Sequence, residues 1–534
     1  MTVVAPALSN PLARRRAFLG VAALGVVGAA LLLGAIGAQE PGLALAAIFV
    51  VGAGFACLAW PNAAVYITVA ILYSNVAAIA VQFHDVPYFI GLAFPLLLLL
   101  PIADYLILQR QRVVITSAFP AVFVFAIVQV IGAAGSRDIQ ESINQLTAFA
   151  IGGAALYFLL MNVVRSFDVL RRAVWVILWV SAAVAALSLY QAATGSYNTE
   201  FWGFGQVNLP GANTQFSASV AAAGTPRLAG PIGEVNRYGQ VLLVVLPIGA
   251  LLAYAEKRLS IRLLALGLTT IVLLGMATTG SRGAALGLLA IVIAGVFFRY
   301  VRLRHLVVVT LAIAVTLFAF PRYTERLLNL QGLLSLDQSA GTIGAQGDVG
   351  NLRGRATETL AAFLVFVDHP IVGVGPGMFP FYYQSYAQKV AESSVDTRID
   401  PGTREAHNLY THVAAETGIL GFTCFMAILL LTLRDLRRAR RRWLTARPDI
   451  AHLASGFYLA IIGYMVSGIF LHLSYERYFW LLMVLGAITA HLALRLPDEE
   501  TQPTATTQRA RMGAWPGEAT EPAQPRSEPG IAPA

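Results

Sequence analysis

The sequence predicts an all-α fold, a polytopic transmembrane helical bundle of about 14 spans with a large extramembrane loop that contains short helices. The 534 residues are 57% hydrophobic and 12% charged, about half the charged share of an average soluble domain, and the mean hydropathy is +0.68. Apolar stretches of about 20 residues, each long enough to cross roughly 30 Å of hydrocarbon, recur over residues 17–495. They leave no room for a separate soluble domain.

Basic residues mark alternate loops, and short cytoplasmic loops are rich in arginine and lysine. The basic clusters lie at residues 14–16, 110–112, 165–172, 257–262, 299–304 and 434–447. We therefore expect these loops and both termini in the cytoplasm, and the intervening loops on the outer face. Because the net charge of +9 comes mostly from these clusters, the excess sets membrane orientation, and we expect no nucleic-acid partner.

This topology divides the chain into seven segments. The segments are a cytoplasmic N-terminus (1–16), N-terminal transmembrane helices (17–194), an outer loop (195–236), transmembrane helices that include Arg282 (237–320), a large outer loop (321–407), C-terminal transmembrane helices (408–495) and a disordered cytoplasmic tail (496–534).

Cys57 and Cys424 lie on different apolar stretches, so no disulfide framework or metal site is expected.

Three ionisable residues stand where outer loops meet apolar stretches. Arg227 opens Arg-Leu-Ala-Gly-Pro, Arg282 lies in Gly-Ser-Arg-Gly, and His407 lies in Glu-Ala-His-Asn. An ionisable residue at the membrane is costly and indicates function by default. Because the predicted topology puts all three on one face, they can form one site.

The large loop is too long to be an idle connection. Residues 355–367 predict an amphipathic helix, with Leu360, Phe363, Leu364 and Val367 at helical spacing. The glycine-rich residues 373–379 lack the strand and lysine of a nucleotide loop, and we interpret them as a chain reversal that packs over the site. Residues 332–351 are expected to be mobile.

Four motifs in chain order resemble the O-antigen ligase and O-antigen polymerase family of bacterial polytopic proteins that transfer lipid-linked glycans. The resemblance covers roughly the C-terminal two thirds of the membrane core. It implies glycan transfer from undecaprenyl diphosphate on the periplasmic face of the bacterial inner membrane, with His407, Arg227 and Arg282 as catalytic residues. The motifs are Arg227 with Gly230 and Asn236, Ser281-Arg282-Gly283, residues 368–370 with 373–377, and His407-Asn408 with Glu416 and Gly418.

The residue types suit this chemistry independently. Guanidinium groups bind phosphate oxygens in a bidentate fork, and the chain has no Asp-x-Asp pair for a divalent metal, so we expect a metal-independent reaction without a cofactor. Histidine titrates near neutral pH and can take the proton of an attacking hydroxyl, which suits His407. The structural alternatives are that Arg282 snorkels at a helix end, that Arg227 braces its loop, and that His407 only makes structural hydrogen bonds.

Five further residues are candidates for substrate binding: Asn408, Asn236, Arg237, His412 and Glu416. Three of them, Asn408, His412 and Glu416, recur at four-residue spacing and share a helical stripe. A satisfied His412–Glu416 pair inside the bundle is the favoured interpretation over a direct catalytic role.

The sequence therefore predicts a membrane glycosyltransferase. Its partners would be an undecaprenyl diphosphate-linked glycan donor, a glycan or lipid A-core acceptor, and membrane lipids. Ligase and polymerase remain equally compatible, since only the acceptor differs. The alternatives are a lipid-linked glycan flippase or transporter, and a protein O-oligosaccharyltransferase.

Overall fold

The computed structural model describes most of the helical body. Predictions for the N-terminal segment, residues 209–225, residues 301–342 and the tail after residue 497 lie outside the described residues. The chain divides into two units, residues 1–494 and 495–534, and the first unit contains the helical bundle. The described residues are 20, 27–28, 52–57, 60–88, 91, 94–208, 226–300, 343–393, 404–471 and 477–497.

Helices dominate the described residues, with one two-stranded ribbon between them. Short 3-10 or π turns adjoin several helices, at Phe94–Leu98, Asp104–Leu108, Ala150–Ala155, Phe201–Gly203 and Gly468–Phe470. The helices and strands are α1 (Ala63–Ser74), α2 (Val76–Phe83), α3 (Leu99–Ala103), α4 (Phe119–Ala134), α5 (Ile139–Phe149), α6 (Leu156–Val163), α7 (Phe167–Thr194), β1 (Gln206–Asn208), β2 (Arg227–Gly230), α8 (Val235–Ala255), α9 (Leu259–Thr278), α10 (Arg282–Phe297), α11 (Ile343–Asp368), α12 (Phe379–Ser393), α13 (Leu409–Trp443), α14 (Pro448–Ser467) and α15 (Arg477–Arg495).

A multi-pass helical membrane protein is confirmed, but the count of about 14 spans is not. Within the described residues, 7 helices are long and apolar enough to cross a membrane, or up to 8 if α1 and α2, bent by 54° at Asn75, form one span. Some apolar stretches form shorter helices instead. Helix α10 has 16 residues and therefore a length of about 24 Å. Hydropathy alone does not separate such helices from full spans.

The segment before α8 contains an antiparallel ribbon that the all-α prediction did not include. Asn208 of β1 pairs with Arg227 of β2, so Arg227 lies on a strand. The strands have 3 and 4 residues, too few for alternation to be recognised in the sequence.

Helix α11 is longer than predicted, and its buried face consists mainly of small residues that the predicted apolar pattern did not include. It begins at Ile343, so the expected mobile segment is helical from that residue onward. Ala361, Ala362 and Val365 are fully buried. Of the four predicted apolar positions, Leu364 is partly buried against them, whereas Leu360, Phe363 and Val367 are about half exposed. Membrane bundles place small residues at helix contacts and can leave large apolar ones outside, which explains the wrong face.

Helix α13 is interrupted at Gly418, and a segment from the large loop fills the interruption. Gly418 has φ +61. The amides of Ile419 and Leu420 donate to the carbonyls of Pro370 and Ile371 (2.7 and 3.3 Å). The amides of Val374 and Gly375 donate in turn to the carbonyls of Ala415 and Glu416 (both 3.0 Å). The glycine-rich turn is thereby fixed to the helix turn that carries Glu416.

An aromatic cluster holds α4, α5, α13 and α15 together. Its ring centroids lie 4.9 to 6.3 Å apart, within the range of favourable aromatic contacts. The cluster sets α5 against α13 below the loop ends where the candidate site lies. Its members are Phe125, Phe149, Phe425, Phe479 and Trp480, each at most 1% exposed.

Candidate functional site

Three described helices begin at the same end of the bundle, and each start has a side-chain cap. Glu234 caps α8, Ser281 caps α10 and Asn408 caps α13, each accepting hydrogen bonds from backbone amides of the first turn. The turn Gly468–Phe470 packs against both the start of α10, at Gly283, and the start of α13. Helix N-termini carry partial positive charge, so this end of the bundle favours anions.

Arg227 joins the ribbon to two of these helix starts. Its Nε donates to the carbonyl of Thr279 (2.9 Å), and its Nη2 donates to the carbonyl of Gly280 (3.3 Å) and to Oδ1 of Asn236 (3.1 Å). The structure thus brings Arg227 to the segment that leads directly into Arg282. These contacts also agree with the structural alternative, in which Arg227 braces its loop.

Asn236, Arg237 and Arg282 lie on the first turns of α8 and α10 and are half-buried. The amide of Asn236 accepts from Arg227 and donates to Oε1 of Glu234 (3.0 Å), so its contacts in this structure are with protein groups. Burial raises the pKa of Glu405 in the loop before α13, and the charges of His412, His407 and Arg237 act against that rise, so Arg237 lies within electrostatic range of this carboxylate.

His407 is held in a strained conformation by a carboxylate from α11. Its φ is +44, a region that residues with a Cβ rarely adopt. Its Nδ1 lies 2.8 Å from Oε2 of Glu358 and 3.1 Å from the carbonyl oxygen of Glu405. A proton on Nδ1 donates to the carbonyl of Glu405, with the Glu358 carboxylate at ion-pair distance, and leaves Nε2 as the basic nitrogen of the neutral ring. The side chain of His407 is 25% exposed.

Glu358 is a candidate functional residue that the sequence analysis missed. Its side chain is only 3% exposed, and its other oxygen lies 4.0 Å from Nη1 of Arg404. On α11 it shares the buried face with Ala361, Ala362 and Val365. A lone carboxylate on a face of small apolar residues is a signal, but it becomes visible only once the correct face of the helix is known.

His412 and Glu416 form the predicted pair inside the bundle, one turn apart on α13. Nε2 of His412 lies 3.2 Å from Oε1 of Glu416 and 3.6 Å from Oε2 of Glu405. Oε1 of Glu416 also accepts from the amide of Phe379 (3.2 Å) at the start of α12. Asn408, on the same stripe, is occupied as the cap of α13, accepting from the amides of Tyr410 and Thr411. Substrate contacts by these residues stay predictions.

A cavity of about 180 Å³ opens beside this pair. It lies between α5, the start of α12 and the first turns of α13. Among the described residues, no group of three or more histidine, cysteine, aspartate or glutamate side chains is arranged to hold a metal ion. The cavity is lined by Glu141, Gln145, Gly377, Pro380, Phe381, Glu405, His412 and Glu416.

Comparison with known families agrees with the motifs. Residues 264–426 match the family model described as O-antigen ligase, which confirms the resemblance found in the sequence. No curated protein matches the chain. The matched region runs from α9 into α13, so it contains Arg282, Glu358 and His407, whereas Arg227 lies before it.

Proposed function

We propose that this membrane protein, which carries an O-antigen ligase domain, transfers a glycan from undecaprenyl diphosphate to a sugar acceptor. One observation carries the proposal. His407, held by the buried carboxylate of Glu358, lies at the end of the bundle where Arg227, Arg237 and Arg282 accompany three helix N-termini. A base and an anion site at one place are what this transfer requires.

The donor diphosphate would bind to the cationic part of this end. Arginine forks form strong charge-assisted hydrogen bonds to phosphate oxygens, and helix N-termini add partial positive charge without reorganising during the reaction. Arg282 at the first position of α10, behind a segment fixed by Arg227, would stabilise the negative charge that develops on the leaving group. We propose that this charge replaces a divalent metal.

The acceptor would be activated by His407. Nε2 takes the proton of the acceptor hydroxyl as its oxygen bonds to the anomeric carbon. The bond from that carbon to the diphosphate oxygen breaks, and the electron pair leaves with undecaprenyl diphosphate. The carbonyl of Glu405 holds the proton on Nδ1, and the negative charge of Glu358, 2.8 Å from Nδ1, stabilises the imidazolium that forms.

The distribution of basic residues supports a periplasmic site in the inner membrane. At the other end of the bundle, Arg171 at the start of α7 pairs with Glu256 after α8, and Arg440 of α13 donates to the carbonyl of Arg299 (2.9 Å). Loops rich in arginine stay in the cytoplasm. After the interruption at Gly418, residues 419–443 of α13 span about 37 Å, enough to cross the hydrocarbon core. The loops 195–236 and 321–407 are then periplasmic.

A lipid-linked glycan transporter is the main alternative, because transporters use broken helices near the bilayer centre. The break at Gly418 argues against this use. The backbone groups released there are occupied by residues 370–375, so they are not available to coordinate a substrate. Transfer to a protein hydroxyl would use the same chemistry with a different acceptor.

The test is His407→Ala in purified full-length protein in nanodiscs, supplied with an undecaprenyl diphosphate-linked glycan. General-base assistance contributes about 100- to 10,000-fold, so transfer should fall by that factor while the melting temperature is unchanged. His369→Ala is the matched control, since His369 lies at the end of α11 with its ring against Tyr382. A rate for His407→Ala within a few-fold of His369→Ala would eliminate the base. In cells, the glycan that accumulates on the carrier separates the two versions: finished polymer indicates a ligase, and single repeat units indicate a polymerase.

A further inference from the structure

The cavity beside His412 differs chemically from the arginine-rich part of the same end. Three carboxylates, from Glu141, Glu405 and Glu416, outnumber the one imidazole, of His412, in its wall, which also includes the amide of Gln145 and the apolar surfaces of Pro380 and Phe381. It lies next to the loop segment of the proposed base, because Glu405 lines the cavity and its carbonyl oxygen lies 3.1 Å from Nδ1 of His407. A ligand in this cavity would therefore lie beside the loop segment that carries the base.

One oxygen in the cavity wall points to a ligand. The side chain of Glu416 is fully buried, and its Oε1 is occupied by His412 and by the amide of Phe379. Its Oε2 is buried and has no hydrogen-bond partner among the described residues. A buried carboxylate oxygen without a donor is unfavourable, and a hydroxyl or ammonium group in the cavity would satisfy it.

The wall on α5 is ordered in advance. Nε2 of Gln145 donates to Oε1 of Glu141 (3.1 Å), which fixes both side chains on the face toward α13. The Phe381 ring, 42% exposed, gives an apolar surface against which the C–H face of a sugar ring can pack. Carboxylates accept hydrogen bonds from neighbouring hydroxyls but repel phosphates and other carboxylates.

We propose that this cavity is the acceptor subsite, and that it takes a sugar with free hydroxyl or amino groups and without carboxylate or phosphate substituents. The assignment rests on the proposed function, since it uses His407 as the neighbouring base. It separates the substrates by charge: the diphosphate donor lies at the arginines and the acceptor sugar at the three carboxylates of the cavity. Wrong binding of the donor headgroup in the acceptor subsite is thereby disfavoured.

The test measures binding without turnover. Gln145→Cys is made in full-length protein whose Cys57 and Cys424 are replaced by alanine, and its alkylation by a small maleimide is followed in nanodiscs. The probes are the methyl glycosides of glucose, glucosamine and glucuronic acid. Labelling should slow in proportion to occupancy, about tenfold at roughly ten times Kd, with the glucoside and the glucosaminide. It should not slow with the glucuronide. Gln140→Cys, exposed on the same helix, is the matched control and should react equally fast with each probe.

A second variant tests the cause of the discrimination. Glu405→Gln in the Gln145→Cys background removes one negative charge, so the glucuronide should begin to protect. Protection by all three glycosides before that change, or by none of them, overturns the acceptor subsite. If His407→Ala is inactive while no glycoside protects position 145, only the subsite fails. If protection is observed while His407→Ala keeps full transfer, only the proposed base fails.

Discussion

Replacing Glu358 by glutamine is expected to slow transfer without weakening donor binding. Glutamine has nearly the same shape, so the packing of α11 is retained while the negative charge beside His407 is lost. The amide can also donate a hydrogen bond to Nδ1, which would move the ring proton to Nε2 and remove the basic nitrogen. Both effects act on kcat, because they concern the protonation of His407 in the transition state.

The magnitude follows from the geometry. Two unit charges 2.8 Å apart attract by about 6 kcal/mol at an effective dielectric constant of about 20, and by about 1.5 kcal/mol in bulk water. The ring of His407 is 25% exposed, and Arg404 lies 4.0 Å from the other oxygen of Glu358, so the value near water applies. We therefore expect kcat to fall about 10- to 100-fold, equal to about 1.4–2.7 kcal/mol.

The assay is glycan transfer in nanodiscs with kcat and the donor KM determined separately. Thr359→Val is the matched control: its hydroxyl donates to the carbonyl of Ala406 (3.4 Å), so it contacts the same loop without contacting His407. The combined Glu358→Gln and His407→Ala variant should be no slower than His407→Ala alone, because Glu358 acts through the imidazole. A kcat for Glu358→Gln within twofold of wild type would refute the orienting role. An equal loss in Thr359→Val would show that docking of the loop, and not the carboxylate, is what matters.

Four further predictions concern the rest of the site. Arg227→Lys should raise the donor KM about tenfold or more, because an ammonium group cannot reproduce the fork that joins Asn236 to the segment before α10. Each hydrogen bond from a charged donor contributes about 1.5–3 kcal/mol. An unchanged donor KM would contradict this prediction. Transfer by purified protein should persist in EDTA, and loss of activity that magnesium restores would contradict the replacement of metal by arginine. Ala345→Cys, in the chain without native cysteines, should react with an impermeant thiol reagent while the inner membrane is intact; reaction only after permeabilisation would reverse the topology. Burial raises the pKa of Glu405, so its carboxylate is fully charged only above that raised pKa. Exclusion of the methyl glucuronide should therefore weaken as the pH falls through the pKa of Glu405. If exclusion stays constant down to pH values near the ordinary glutamate range, Glu405 is not the group that excludes the glucuronide.

The sequence was sufficient for features that depend on local composition. Hydropathy identified the helical membrane body. Polar residues at the ends of apolar stretches indicated Arg227, Arg282 and His407, whose roles stay predictions. Contacts between distant segments were not readable in the same way. Glu358 contacts a histidine 49 positions later, and it lies on the face of α11 that the larger apolar side chains do not mark. In a membrane bundle the largest apolar residues need not face the core, so periodicity gives the helix but not its orientation.

The break in α13 shows why the site could not follow from helical spacing alone. In a continuous helix the amides of Ile419 and Leu420 would bond to the carbonyls of Ala415 and Glu416; here all four groups bond to residues 370–375 instead. The exchange requires close backbone approach, since a side chain on Gly373 or Gly418 would collide with the backbone of the opposite segment. It fixes the turn that leads to Phe379, whose amide binds the Glu416 carboxylate. The two cavity walls formed by the starts of α12 and α13 are therefore positioned by the same backbone hydrogen bonds. Backbone contacts set the shape of the cavity, and the charged side chains that line it set the proposed selectivity.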